Sequence, residues 1–168
     1  MLLIPGTFLM IVIMAKTGAQ LKTPANPKGI IGLELAYNAG MTKSVITDWV
    51  NSDPNNLSAV RINTYFDFAF IFFYSFLLST LCALIAPSVR GLLSSAGSLL
   101  AKGVLLAGLT DVLENFGMLI SLQGYISDTC TLFTFIFSMI KWILVFAALG
   151  YIIIAGSFSL IRKGRKQG

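Results

Sequence analysis

The chain contains no histidine, and only 11% of its 168 residues are charged. Without imidazole, the commonest zinc, haem and di-iron sites are excluded, as are Ser-His-Asp and Cys-His nucleophiles. There is no glycine-rich phosphate loop and no paired-cysteine motif, so catalysis of any kind must use carboxylates, lysine, tyrosine or hydroxyls. Cys82 and Cys130, the two cysteines, lie in apolar or border segments without metal or redox spacing and read as buried free thiols. The scarcity of charge also bears on solubility. Ordinary globular chains carry about 25% charged residues. Twelve Lys/Arg and seven Asp/Glu cannot cover a compact particle that is 56% hydrophobic. A water-soluble domain is thereby excluded, and lipid must cover much of the surface.

What is present is a set of four apolar stretches. They predict an all-α integral membrane protein, a four-transmembrane-helix bundle forming one membrane domain over 1–168, with spans at about 1–21, 65–86, 92–122 and 131–160. The first reaches spanning length only if Lys16 snorkels and the residues up to Leu21 contribute; a cleaved signal peptide is its rival, disfavoured because no Lys or Arg precedes the apolar run. In the second, phenylalanines at 66, 68, 70 and 72 alternate as in a strand. The residues between them (Asp67, Ala69 and Ile71) do not form a polar row facing a barrel lumen, so helix is preferred.

The net charge of +5 does not imply a nucleic-acid partner, because the only dense basic group, Arg162, Lys163, Arg165 and Lys166, directly follows the last apolar stretch. It reads as the cytoplasmic flank of a final span, in the tail 161–168. Together with Arg90 between spans two and three, it places both termini in the cytoplasm. Against this stand Lys16, Lys22, Lys28, Lys43 and Arg61 in the segment that would lie outside, where Glu34, Asp48 and Asp53 partly offset them. Within that outer segment, 22–64, Pro24 and Pro27 indicate an extended approach. Met41, Val45, Ile46 and Trp49 follow at helical spacing, predicting an extracytoplasmic helix with Trp49 at headgroup level. Asp53-Pro54-Asn55-Asn56 ends it, and Asn56-Leu57-Ser58 matches a glycosylation acceptor.

The informative positions are ionisable groups inside the spans. Asp111, Glu114 and Asn115 stand at i, i+3 and i+4, hence on one face of span three. Counted inward at 1.5 Å per residue, Glu114 lies about 12 Å deep, Asp111 about 17 Å, and Lys141 on span four about 15 Å. A carboxylate at such depth costs a few kcal/mol unless a cation, a proton or water attends it. Thr131, Thr134, Ser138 and Lys141 form a polar stripe on span four, and Asp67, Tyr74 and Ser75 share a side of span two. Gly97, Ala101 and Gly108 make a small-residue seam on span three, in line with Asp111 and Asn115. Facing one another, these stripes define a polar pocket open toward the outer leaflet, holding Asp67, Asp111, Glu114, Asn115 and Lys141. Glu34 is either its roof or a solvated cap residue, and Asp67 belongs either to the pocket or to the headgroup boundary. A plain interhelical ion pair between Lys141 and Asp111 or Glu114 is the simplest alternative.

The order Gly29-Ile30-Ile31-Gly32-Leu33-Glu34-Leu35-Ala36, a soluble helix ending in Trp49, Asp67 at a span entrance and Asp111-Val112-Leu113-Glu114-Asn115 in the next span resembles a group of small bacterial four-span membrane proteins of unknown function. The resemblance runs from about Gly29 to Leu122. It implies a four-span fold, a shared polar constellation and a bacterial inner membrane, and supplies no activity. The function expected is in-plane binding of a lipid headgroup, a cation or a partner's basic group, with membrane lipids and other membrane subunits as partners and no metal, cofactor or nucleic acid. A proton- or cation-coupled carrier, a membrane enzyme using carboxylate acid/base chemistry and a structural subunit are the alternatives.

Overall fold

A computed structural model describes residues 2–164, with side chains through 158. The side chains of the basic tail, Arg162 to Lys166, therefore lie outside the described residues. The fold is all-helical, with no strand among the described residues: α1 (Leu3–Gly18, extended by a 3-10 turn at Ala19–Leu21), α2 (Ile30–Glu34), α3 (Ala39–Ser52), α4 (Asn56–Ile85), α5 (Leu92–Leu122) and α6 (Asp128–Gly164). Four of these (Leu3–Leu21 and the long α4, α5 and α6) are long and apolar enough to cross a membrane. Their outward faces are apolar, as at Phe8, Leu84, Leu99, Ile143 and Ile153, all more than half exposed. Such a ring is stable only when something other than water covers it.

The bundle core comes from α4, α5 and α6, which pack mutually, while α1 lies against α4. Ile71, Tyr74, Leu78 and Cys82 of α4 meet Val104 of α5 and Ala148, Tyr151 and Ala155 of α6. Small residues let the helices approach. A Cβ added at Gly108 would stand 3.0 Å from the Ser75 Cβ on α4, and Gly117 faces Thr134 on α6. The α1 seam is narrow: Gly6 abuts the Phe73 ring, and Met10 is the one buried residue of that helix.

Between α1 and α4 the chain folds back as a cap. Trp49 is wholly buried with Leu21, Leu33, Val60, Met118 and Leu122, and its indole N–H donates to the Leu21 carbonyl at 2.7 Å. It is thus a core residue of the cap, not a headgroup anchor as its helical spacing suggested, because the buried carbonyl offers its N–H a partner that lipid does not. Span two also starts earlier than its apolar run implies. The polar turns from Asn56 to Thr64 are helical, Asn63 donating to the Met14 carbonyl at 3.1 Å and to the Thr17 hydroxyl at 2.6 Å, which ties α1 to α4. Asn56 is 2% exposed and donates to the Trp49 carbonyl, so the glycosylation match is inaccessible. Both cysteines are free, Cys82 buried and Cys130 half-buried.

Trp49→Ala should lower stability in detergent by about 3–5 kcal/mol through its cavity, and Trp49→Phe by about 1 kcal/mol through the lost hydrogen bond. Thermal unfolding followed by circular dichroism measures both; equal, small losses would show that the cap does not depend on the indole.

Candidate functional site

The i, i+3, i+4 spacing on α5 does what a helix requires. Asp111, Glu114 and Asn115 lie on one buried face, Asp111 3% exposed and the other two fully enclosed. Helix α6 returns past α5 after the short 123–127 link and brings Lys141 to the same level. Its Nζ stands 2.8 Å from Glu114 Oε2 and 3.1 Å from Asp111 Oδ1. From α4, the Tyr74 hydroxyl donates to Asp111 Oδ2 at 2.8 Å, and Asp67 accepts from Asn115 Nδ2 at 2.7 Å.

Glu34 completes the group from above. Thr23, Asn26 and Gly29 form the turn that aims α2 downward: Asn26 N–H donates to Thr23 Oγ1 at 2.9 Å, Asn26 Nδ2 donates to the Gly29 carbonyl at 2.8 Å, and Gly29 adopts φ +61°, open to glycine without strain. At the end of α2, Glu34 Oε2 receives Lys141 Nζ and the Trp142 indole N–H, each at 3.3 Å. Glu34 is 8% exposed, so of its two sequence readings the roof holds and the solvated cap does not. Asp67 is half-buried and hydrogen-bonded to Asn115, inside the bundle instead of at its rim.

All six residues singled out from the sequence therefore come together, in two linked groups: Lys141 with Glu34, Asp111 and Glu114, and Asn115 with Asp67. The simple ion pair is replaced by one ammonium shared among three carboxylates. Thr131, Thr134 and Ser138 are buried along the α6 face that leads to Lys141, as the stripe predicts. Tyr74 and Trp142 were not singled out as site residues. Tyr74 had a signal, since it lies seven residues from Asp67 on one helix face; Trp142, next to Lys141, had none beyond adjacency.

Beside the cluster lies a cavity of about 390 Å³. Its charged end is Glu34, Asp67, Asp111 and Lys141; its walls are apolar, from Ile11 and Met14 of α1, Phe70 and Leu77 of α4 and Val145 and Leu149 of α6. The contribution of α1 was unforeseen, because that stretch is apolar all round and shows no facing pattern. This volume falls within the roughly 300–1,000 Å³ typical of small-ligand sites, which are mostly apolar with a few convergent polar groups.

No family model, curated protein or solved structure matches this chain. Fold and site alone define its class: an all-helical four-span candidate membrane protein carrying a buried ion cluster beside an apolar cavity.

Removing one partner of a buried ion pair leaves the others uncompensated and costs about 3–5 kcal/mol. Lys141→Met should lose that much stability, whereas Tyr74→Phe, which removes one hydrogen bond to a charged group, should lose about 1.5–3 kcal/mol. Adding Glu114→Gln to Lys141→Met should restore part of the loss. Unfolding midpoints in one detergent read all three; an additive double variant would show that Glu114 and Lys141 are not coupled.

Proposed function

We propose that this chain is a membrane-embedded binding protein that takes an amphiphile of the lipid class from the bilayer plane and holds its polar end at the Glu34, Asp67, Asp111 and Lys141 cluster. One observation carries the reading: the cavity joins a charged end to apolar walls in a single space. A soluble polar ligand would leave those walls unused, and a purely apolar one would not repay the burial of four charged side chains. The gap between α1 and α6 is the natural entrance, since α1 rests on α4 and both α1 and α6 line the cavity. The arrangement proposed places both termini in the cytoplasm and the α2–α3 cap outside, in a bacterial inner membrane. Arg90 between spans two and three and the basic residues of the tail support the orientation, and the resemblance to small bacterial four-span proteins supports the compartment.

The test is native mass spectrometry of protein purified in mild detergent, followed by reloading with lipid extract. A retained lipid-class adduct is expected, and filling the cavity with Leu77→Trp and Val145→Trp should remove most of it while the unfolding midpoint stays within a few degrees. An adduct undiminished by the filled cavity, or none after reloading, would overturn the reading. A tightly bound second protein with an empty cavity would favour a structural subunit instead.

The excess of carboxylate supports a second reading, a proton- or cation-coupled carrier in which Asp111 or Glu114 changes protonation during transport. It requires flux in proteoliposomes that Glu114→Gln abolishes; flux indifferent to that change removes it.

A further inference from the structure

The polar atoms around the cavity are unequally divided between donors and acceptors. Lys141 faces three carboxylates with its three N–H groups. The Tyr74 hydroxyl, an Asn115 amide N–H and the Trp142 indole N–H are taken by Asp111, Asp67 and Glu34 in turn. What remains is almost entirely acceptor. Among the described residues, Glu34 Oε1 and Asp67 Oδ1 accept no hydrogen bond, and Glu114 Oε1 and Asn115 Oδ1 are buried without a partner. Ser138 Oγ, one turn before Lys141 on α6 and fully buried, is also unpartnered. Glu34 and Asp67 line the cavity, whereas Glu114, Asn115 and Ser138 lie behind its wall, so the acceptors open to an occupant are Glu34 Oε1 and Asp67 Oδ1. Formal charge leans the same way, with four carboxylates against one ammonium.

Resting on the amphiphile reading above, we infer that the polar end of the bound molecule is a protonated primary or secondary amine, seated among the cavity-lining carboxylates Glu34, Asp67 and Asp111. Such a group brings two or three N–H donors and one positive charge, the two quantities the site lacks. A phosphate or carboxylate headgroup would add acceptors and negative charge to both surpluses. An alcohol would supply one donor and no charge. A bare metal ion would satisfy the oxygens and leave the apolar walls of Ile11, Met14, Leu77 and Val145 without an occupant. Phe70, Tyr74 and Trp142 also line the cavity, and aromatic faces favour a cation of either substitution; the free carboxylate oxygens select one that carries N–H groups.

The experiment titrates full-length protein in non-ionic detergent with four probes of one chain length, dodecylamine, dodecyltrimethylammonium, dodecanol and dodecyl phosphate, followed by tryptophan fluorescence and calorimetry. Dodecylamine should bind on the order of tenfold more tightly than any of the others. Asp67→Asn and Glu34→Gln should each weaken it by a similar factor and leave dodecanol unchanged. Asp67→Asn is the variant that leaves the Lys141 contacts intact, and an unchanged unfolding midpoint confirms that it folds. Equal binding of dodecanol or dodecyltrimethylammonium, or preference for dodecyl phosphate, would overturn the amine while leaving the amphiphile reading standing. Failure of every probe, together with a wild-type cavity that holds no lipid-class adduct, would overturn both.

Discussion

One ammonium group shared among three carboxylates governs this molecule. Lys141 comes from α6, Asp111 and Glu114 from α5 and Glu34 from the cap, so a single nitrogen joins two long helices to a segment that otherwise only covers them. In so dry a place its worth is conditional. Desolvating these groups costs several kcal/mol each, and their attraction repays that only if the partners are held within hydrogen-bonding reach. The cluster therefore requires a rigid surround, and the surround is what the remaining sequence provides.

That surround rests on close helix approach. Gly108 opposite Ser75 brings α4 near α5, and Gly117 opposite Thr134 brings α6 near α5. Larger residues would separate the axes, and Tyr74 would no longer reach Asp111, nor Lys141 reach Glu114. The cap is fixed by independent means. Trp49 seals Leu21, Leu33, Val60, Met118 and Leu122, a Thr23 hydroxyl hydrogen-bonded to Asp48 pins the approach chain, and Ala39 N–H donates to Asp128 Oδ1 at 2.8 Å. Only with α2 held in this way does Glu34 point inward. Packing at both levels thus sets the geometry on which the charges depend.

The parts of this arrangement visible in the sequence are those governed by local periodicity. Apolar runs mark the four long helices, and the boundaries of α5 agree with the run from 92 to 122 because charge-poor residues fill it and a glycine stands at each end, Gly91 before it and Gly124 just after. Asp111, Glu114 and Asn115 share a face by helix geometry alone, and depth counting matched them to Lys141 because the 123–127 link is too short to shift the register. What depended on tertiary contact was not visible. Glu34 meets Lys141 across 107 positions, and nothing near it says whether its short helix turns toward the bundle or away. Trp49 fits a headgroup boundary and a buried cap equally well by spacing; the Leu21 carbonyl decides. The helical turns from Asn56 to Thr64 are too polar to be read as part of a span, although the backbone continues through them.

Helix α1 follows a different logic from the rest. Its only buried residue is Met10, and it is held by a seam on α4: Gly6 against Phe73 below, and Asn63 bonded to Met14 and Thr17 above. The same helix is also a cavity wall, through Thr7, Ile11 and Met14. The polar bonds near Thr17 lie on the cap side, where Glu34 and Trp49 are fixed. Toward its other end Gly6 lies against the Phe73 ring, so α1 is fixed to α4 at both ends while it closes one side of the cavity.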